Sequence, residues 1–179
     1  MPTVLAILAD GFEEIEAMAP IDLLRRAGVE VTTASLPDNR HVTGRCGVTI
    51  HTDTTLAAVA GQTFDLLFLP GGPGVKNLRA DPRVGQAVRK HFEAGRWLAA
   101  ICAAPTVLHD CELLTGRRYT AHFSVANELP HILASERVVT DGKVTTSRGA
   151  GTALEFGLHL VALLTSAEKA AEISKAICL

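Results

Sequence analysis

Aromatic residues are scarce in this chain, with one Trp, one Tyr and six Phe among 179 residues. A core made from it must therefore be aliphatic, drawn from the Val, Leu, Ile and Ala that dominate its 47% hydrophobic content. Long apolar runs are also missing. The longest uncharged stretches, such as Leu66 to Pro70 and Leu158 to Leu164, fall far short of the roughly 20 residues that span a membrane. Neither sign of charge prevails, because 17 Lys and Arg stand against 19 Asp and Glu for a net charge of −2. That balance excludes the basic field that draws nucleic acid, and no polybasic run is present to hold an anionic membrane. The four cysteines, Cys46, Cys102, Cys111 and Cys178, form no CxxC pair. They read as thiols of a reducing cytoplasm rather than as a disulfide framework. The N-terminal MPTVLAILAD has no basic leader and meets Asp10 early, so it reads as a core strand and not as a secretory signal.

What is present is alternation. Short apolar runs, at Thr3 to Ala9, Val29 to Ser35, Asp65 to Leu69 and Trp97 to Ile101, suit strands buried on both faces. Between and after them lie segments of helical period, at Glu13 to Ala27, Pro82 to Ala94, from Ala104 onward, Thr152 to Leu164 and Ala167 to Ala176. Pro20 lies inside the first helix, where it can kink it, and Gly28 ends it. His41 to His51 reads as a short antiparallel ribbon. Arg118 to Ala121, Val138 to Thr140 and Lys143 to Thr146 read as later strands, with a hairpin turn at Asp141-Gly142. No linker or repeat divides the chain, so residues 1–179 form a single domain. The fold class is α/β, a doubly wound, mostly parallel sheet sandwiched by helices, with a small antiparallel addition.

In such a sheet ligands collect at the carboxyl ends of the strands. Three features fall there: Asp10 to Glu16 after the first strand, Gly71-Gly72 after the strand ending at Leu69, and Cys102-Ala103-Ala104-Pro105 after Ile101. A cysteine between a strand and a helix can occupy a sharp elbow whose free amides favour a thiolate and hold an oxyanion. It can equally be a small buried residue. Gly71 and Gly72 are either a tight turn or amides open to close approach by a substrate. They match neither a phosphate loop nor a dinucleotide fingerprint. Glu13 and Glu14 suit the start of a helix through its dipole. Glu16, one turn in, either does the same or points a buried carboxyl toward the strand ends. His41, His51, His91 and His131 read as surface or loop residues, and His159 as packing. His122 reaches the Cys102 turn if its segment lies alongside. The set His109, Cys111 and His122 fits no standard metal spacing, so neither a metal nor an organic cofactor is expected.

Five strings in order, Leu8 to Glu16, Pro20 to Gly28, Leu69 to Gly72, Ala99 to Pro105 and Thr146 to Thr152, resemble the ThiJ/PfpI family of the class I glutamine amidotransferase-like superfamily. Within it, the chain is most similar to the branch of the parkinsonism-associated protein deglycase and bacterial YajL. The resemblance implies a flavodoxin-like fold, a reactive, oxidation-prone nucleophile at Cys102, a carboxyl at Glu16 that hydrogen-bonds its sulfur, and a neighbouring His122. It also implies an oxyanion pocket from Gly72 and Ala103 beside Gly71. The family often has proline where this chain has Ala150, and the stretch from Pro105 to Tyr119 is short. Family proteases carry histidine where Ala103 stands, so protease activity is disfavoured. No His-x-Glu of an amidotransferase follows near Gly149 to Glu155, and no residue supports a thiamine-pathway role.

The activity this implies is a glyoxalase or deglycase type of hydrolase or lyase, acting on small carbonyl substrates, 2-oxoaldehydes such as methylglyoxal or their thiol and amine adducts. The competing reading is an oxidative-stress sensor or redox-regulated chaperone using the same cysteine. The resemblance also implies a homodimer. The first helix bears more apolar positions (Ile15, Met18, Ala19, Ile21, Leu23 and Leu24) than one stripe needs. The surplus meets either a second copy, bringing Arg26 and Arg45 near the neighbouring pocket, or the chain's own C-terminal helices.

Overall fold

The computed structural model describes residues 1–179. Seven strands build the main sheet: β1 (Thr3–Leu8), β2 (Glu30–Ser35), β5 (Thr54–Thr55), β6 (Leu66–Leu69), β7 (Trp97–Ile101), β8 (Val138–Asp141) and β9 (Val144–Ser147). Their order is β5-β2-β1-β6-β7-β9-β8, parallel throughout except for the β8–β9 hairpin. β3 (His41–Thr43) and β4 (Thr49–His51) form the separate antiparallel ribbon. The mostly parallel α/β sandwich and its antiparallel addition are both present.

Register explains the core. Leu5 of β1 lies beside Leu67 of β6, which lies beside Leu98 of β7, and that row packs on one face. Ala6, Phe68 and Ala99 form the next row, on the opposite face. Because side chains alternate across a strand, each strand feeds both layers and is apolar at nearly every position. The first face is covered by α2 (Leu56–Val59), α3 (Val75–Ala80), α4 (Pro82–Glu93) and α5 (Pro105–Asp110). The second is covered by α1 (Glu14–Arg26), α6 (Ala153–Leu164) and α7 (Ala167–Ala176). There Phe68 and Phe156 pack with ring centroids 5.9 Å apart.

Caps set several helix starts. The Glu13 carboxylate accepts the Glu16 N–H, Asp81 accepts the Arg83 N–H before Pro82 opens α4, and Ser166 accepts the Lys169 N–H. Pro20 leaves α1 a single helix, although the Glu16 carbonyl loses its usual intrahelical donor. A Cβ on Gly157 of α6 would lie 2.7 Å from Leu23 Cδ1 and 3.0 Å from Pro20 Cα, so this glycine lets α1 and α6 come together. Ile21, Leu23 and Leu24 are thereby buried within the chain's own fold, which accounts for much of the surplus on α1.

Three expectations need correction. Arg118 to Ala121 is not a strand, because both edges of β9 are taken by β7 and β8. The segment instead lies across the sheet, its Thr120 N–H donating to Thr146 Oγ1 at 2.9 Å. His91 is not a surface residue. It is 1% exposed, accepts the Phe64 N–H through Nε2 at 3.0 Å, and places Nδ1 2.7 Å from the Ala87 carbonyl. Burial lowers its pKa and keeps it neutral. The short helix α3 fills a stretch that sequence periodicity leaves as loop.

Candidate active site

The carboxyl ends of β1, β6, β7 and β9 are neighbours in the sheet, so the turns that follow them converge. Cys102 follows β7 directly and holds a φ of +67°. A side chain in that left-handed region costs of order 1–3 kcal/mol and persists only where its surroundings enforce it. Here the Cys102 N–H donates to the Ser147 carbonyl and its own carbonyl accepts the His122 N–H, both at 2.9 Å. The elbow is thus clamped on both sides.

Two glycines admit the other parts. A Cβ on Gly71 would collide with Glu16 Oε2, lie 2.5 Å from Cys102 Cβ and come within 2.9 Å of the Ile101 carbonyl oxygen. Gly72 has a φ of +93°, and a Cβ there would lie 2.5 Å from the Glu13 nitrogen. Without side chains at these positions, the Gly72 and Ala103 amides reach the Cys102 sulfur.

Glu16 is 2% exposed. Its carboxyl lies against the Cys102 sulfur and the amides of Gly71 and Ala150. Oε2 is buried with no partner in hydrogen-bond geometry. Burial, with a lesser push from the Glu13 charge, raises this carboxyl from 4.5 to about 7. Burial also pushes the Cys102 thiol up, to about 12, followed by the charge and hydrogen bond of Glu16, against the lowering pull of the two amides. The sequence argument for a thiol lowered by the helix start is therefore overturned, because desolvation outweighs the amides. Below about 7 both groups keep their protons, and above it the pair holds one, on the sulfur, beside the Glu16 carboxylate.

His122 Nδ1 accepts the Ser124 N–H at 3.2 Å and sits 2.8 Å from Ser124 Oγ. An amide only donates, so in the neutral ring the proton is on Nε2 and His122 is a donor rather than a base. Gly149 backs this arrangement, its absent Cβ lying 3.4 Å from His122 Cδ2 and 3.6 Å from Glu16 Oε1.

Glu16, Gly72, Cys102, Ala103 and His122 line one cavity of about 480 Å³, and Gly71 lies directly behind Glu16 and Cys102. The structure thus brings every candidate residue together. Ala150, where the family often has proline, lines the same cavity. Arg45 does too, from its own chain, while Arg26 is engaged on the surface with Asp22 at 2.6 Å. His109, Cys111 and His122 line three different cavities. Glu13 is the helix cap. Glu14 does more than start a helix, since its carboxylate accepts the Cys46 N–H at 2.8 Å and holds the β3–β4 turn to α1. Lys76 and Arg79 of α3 also line the cavity and escaped notice in the sequence. The pair Val75 and Leu78, apolar at helical spacing just after the Gly-rich turn, was the available signal.

Residues 2–163 match the DJ-1/PfpI family. The Drosophila melanogaster protein dj-1beta is 41% identical over 177 residues, covering 97% of this chain and 95% of that protein. Its crystal structure superposes with a TM-score of 0.96 at 39% identity, covering 99% of this chain and 98% of that one. A Toxoplasma gondii DJ-1 structure, described as oxidized, has a TM-score of 0.94 at 35% identity, covering 99% of this chain and 98% of that one. A Caenorhabditis elegans relative named glutathione-independent glyoxalase DJR-1.2 is 35% identical over 172 residues, covering 93% of this chain and 90% of that protein. With the elbow, the glycine turn and the fold in agreement, the chain belongs to the DJ-1/PfpI family.

Proposed function

We propose that this protein is a cofactor-independent enzyme that converts 2-oxoaldehydes such as methylglyoxal, free or released from thiol and amine adducts, into 2-hydroxy acids. The observation that carries the reading is a buried carboxyl set against a cysteine at a strained elbow, with two amides aimed at the same sulfur. The name of the C. elegans relative agrees with it.

The Cys102 sulfur adds to the aldehyde carbon to give a hemithioacetal, and the Gly72 and Ala103 amides hold its oxygen. Glu16 takes the proton from that carbon and a proton is returned to the adjacent carbonyl carbon, whose oxygen faces the His122 donor. The first carbon is oxidised and its neighbour reduced, so no external redox partner is required. Water then cleaves the resulting thioester, giving the hydroxy acid and the free thiol. In Cys102→Ser, lactate formation from methylglyoxal is expected to fall to background with the fold retained by circular dichroism. Turnover surviving in that variant would refute the reading.

A second reading is favoured by the oxidized state named for the T. gondii relative. Peroxide delivers two oxygen atoms to the Cys102 sulfur in successive steps, each releasing water, and the sulfinate accepts from the same amides and from protonated Glu16. Peroxide-dependent holdase activity without methylglyoxal turnover would select this reading.

We also propose a homodimer in the cytoplasm. All four cysteines are free, which suits a reducing compartment, and no helix is long and apolar enough to cross a membrane. Ile15 on α1 and Val48 on the β3–β4 turn remain 54% and 53% exposed. The Glu14 clamp holds their two elements together, and a two-fold mate covers both residues at once. Light scattering should give twice the 18.9 kDa of one chain, and Ile15→Glu should halve that mass. A monomeric parent protein would dismiss the interface.

A further inference from the structure

We infer that the substrate carries, beyond its reacting carbonyl, a terminal oxyanion (a carboxylate or a phosphate) held between Arg45 and Lys76. This deepens the catalytic reading above and rests on it. The cavity of about 480 Å³ is far larger than methylglyoxal requires. It falls within the range of about 300–1,000 Å³ typical of pockets for much larger ligands.

Its wall is cationic in an unbalanced way. Arg79 is already engaged, bridging Asp110 and Glu128 at 2.7 Å each. Arg45 and Lys76 line the same cavity and enter none of the ion pairs of the fold. Of the carboxylates on that wall, Glu13 is occupied in capping α1, and Glu16 is raised to about 7.

Both cations are carried by backbone fixed to a single turn. The Arg45 N–H donates to the Phe12 carbonyl at 2.8 Å. The Gly74 N–H, just ahead of α3, donates to the Gly11 carbonyl at 2.8 Å. The β1–α1 turn, which leads into Glu16, thus places Arg45 and the start of the Lys76 helix on the same cavity. An oxyanion between them would leave the carbonyl end of an elongated substrate free to reach Cys102.

The test compares kcat/KM for dioxovalerate, a 2-oxoaldehyde ending in a carboxylate, with that for its uncharged methyl ester. At low ionic strength the parent protein should prefer the acid by about tenfold, the scale of two partly exposed charge pairs. The preference should shrink as salt is added. In Arg45→Gln/Lys76→Gln it should drop below about twofold. Equal values in the parent protein, or a preference that the double variant keeps, would overturn the inference. If none of these aldehydes nor methylglyoxal is turned over, the catalytic reading fails and binding alone decides. Protection of Cys102 from iodoacetamide by levulinate or glycerone phosphate, at lower concentration than by methyl levulinate, would uphold the anion site. The more protective of the two acids identifies carboxylate or phosphate, and equal protection by all three would remove the site.

Discussion

Glu16→Gln is expected to make the protein more stable at pH 8 and to let Cys102 react at lower pH. In the native fold the carboxyl is raised from 4.5 to about 7, chiefly by burial. Between those values the unfolded chain has released its proton while the native chain keeps it. Stability therefore falls as pH rises from 4.5 through 7 and stays lowered above. A rise of about 2.5 units at about 1.4 kcal/mol per unit corresponds to about 3 kcal/mol. Glutamine cannot ionise, so the variant should gain about 1–3 kcal/mol over the parent protein at pH 8 and almost nothing at pH 4. Urea unfolding at the two pH values measures this directly. A difference that does not change with pH would show that the carboxyl is not held protonated.

The same substitution separates the two thiol environments. With Glu16 present, the proton lost near 7 leaves a carboxylate beside the sulfur, and Cys102 alkylation by iodoacetamide should rise only well to the alkaline side. With glutamine, the charge that raises the thiol is gone, and the rise should move toward neutral pH while burial still holds it above the usual thiol range. Each unit of movement gains about tenfold in rate at neutrality. A gain in stability joined to a loss of methylglyoxal turnover is the signature of a residue retained for chemistry. An unchanged profile would return Glu16 to the role of a helix-start acid.

How much of this was readable without coordinates depended on the range of the forces involved. The buried strands were legible because β1, β6 and β7 are apolar on both faces, and a parallel sheet leaves such a run no other place. The elbow position of Cys102 was legible from the strand before it and Pro105 after it. Spacing set Glu16 apart from Glu13 and Glu14 only as an open alternative, and the family resemblance was needed to favour it, since its burial depends on Gly71 and Gly149 far away in sequence. His91 was misjudged although Val84, Val88 and His91 recur at helical spacing on the inner face of α4. Arg118 to Ala121 was misjudged because its strand-like composition says nothing about whether a sheet edge is free. The direction of the Cys102 shift was misjudged because amide dipoles can be inferred from a helix start, whereas desolvation is set by the whole surrounding wall.

Gly71→Ala is expected to damage the site through a single methyl group. The added carbon meets three atoms, and only Glu16 Oε2 sits at the end of a side chain with any freedom. Cys102 Cβ at 2.5 Å and the Ile101 carbonyl oxygen at 2.9 Å are fixed by β7 and by the clamped elbow. The strand must shift or the carboxyl must swing away from the sulfur. Overpacking of this kind costs about 1–3 kcal/mol, and a displacement of reacting groups by about 1 Å costs on the order of a hundredfold in turnover. Gly61→Ala serves as the control, because its Cβ meets nothing within 4 Å, and it should change stability by less than about 0.5 kcal/mol. Turnover of methylglyoxal should be measured with the folded fraction fixed by circular dichroism, alongside the pH profile of Cys102 alkylation. If Glu16 is displaced, the profile of Gly71→Ala should shift from that of the parent protein toward that of Glu16→Gln. Loss of stability with turnover and profile both intact would make Gly71 a turn residue alone and would uncouple the glycine pair from the chemistry.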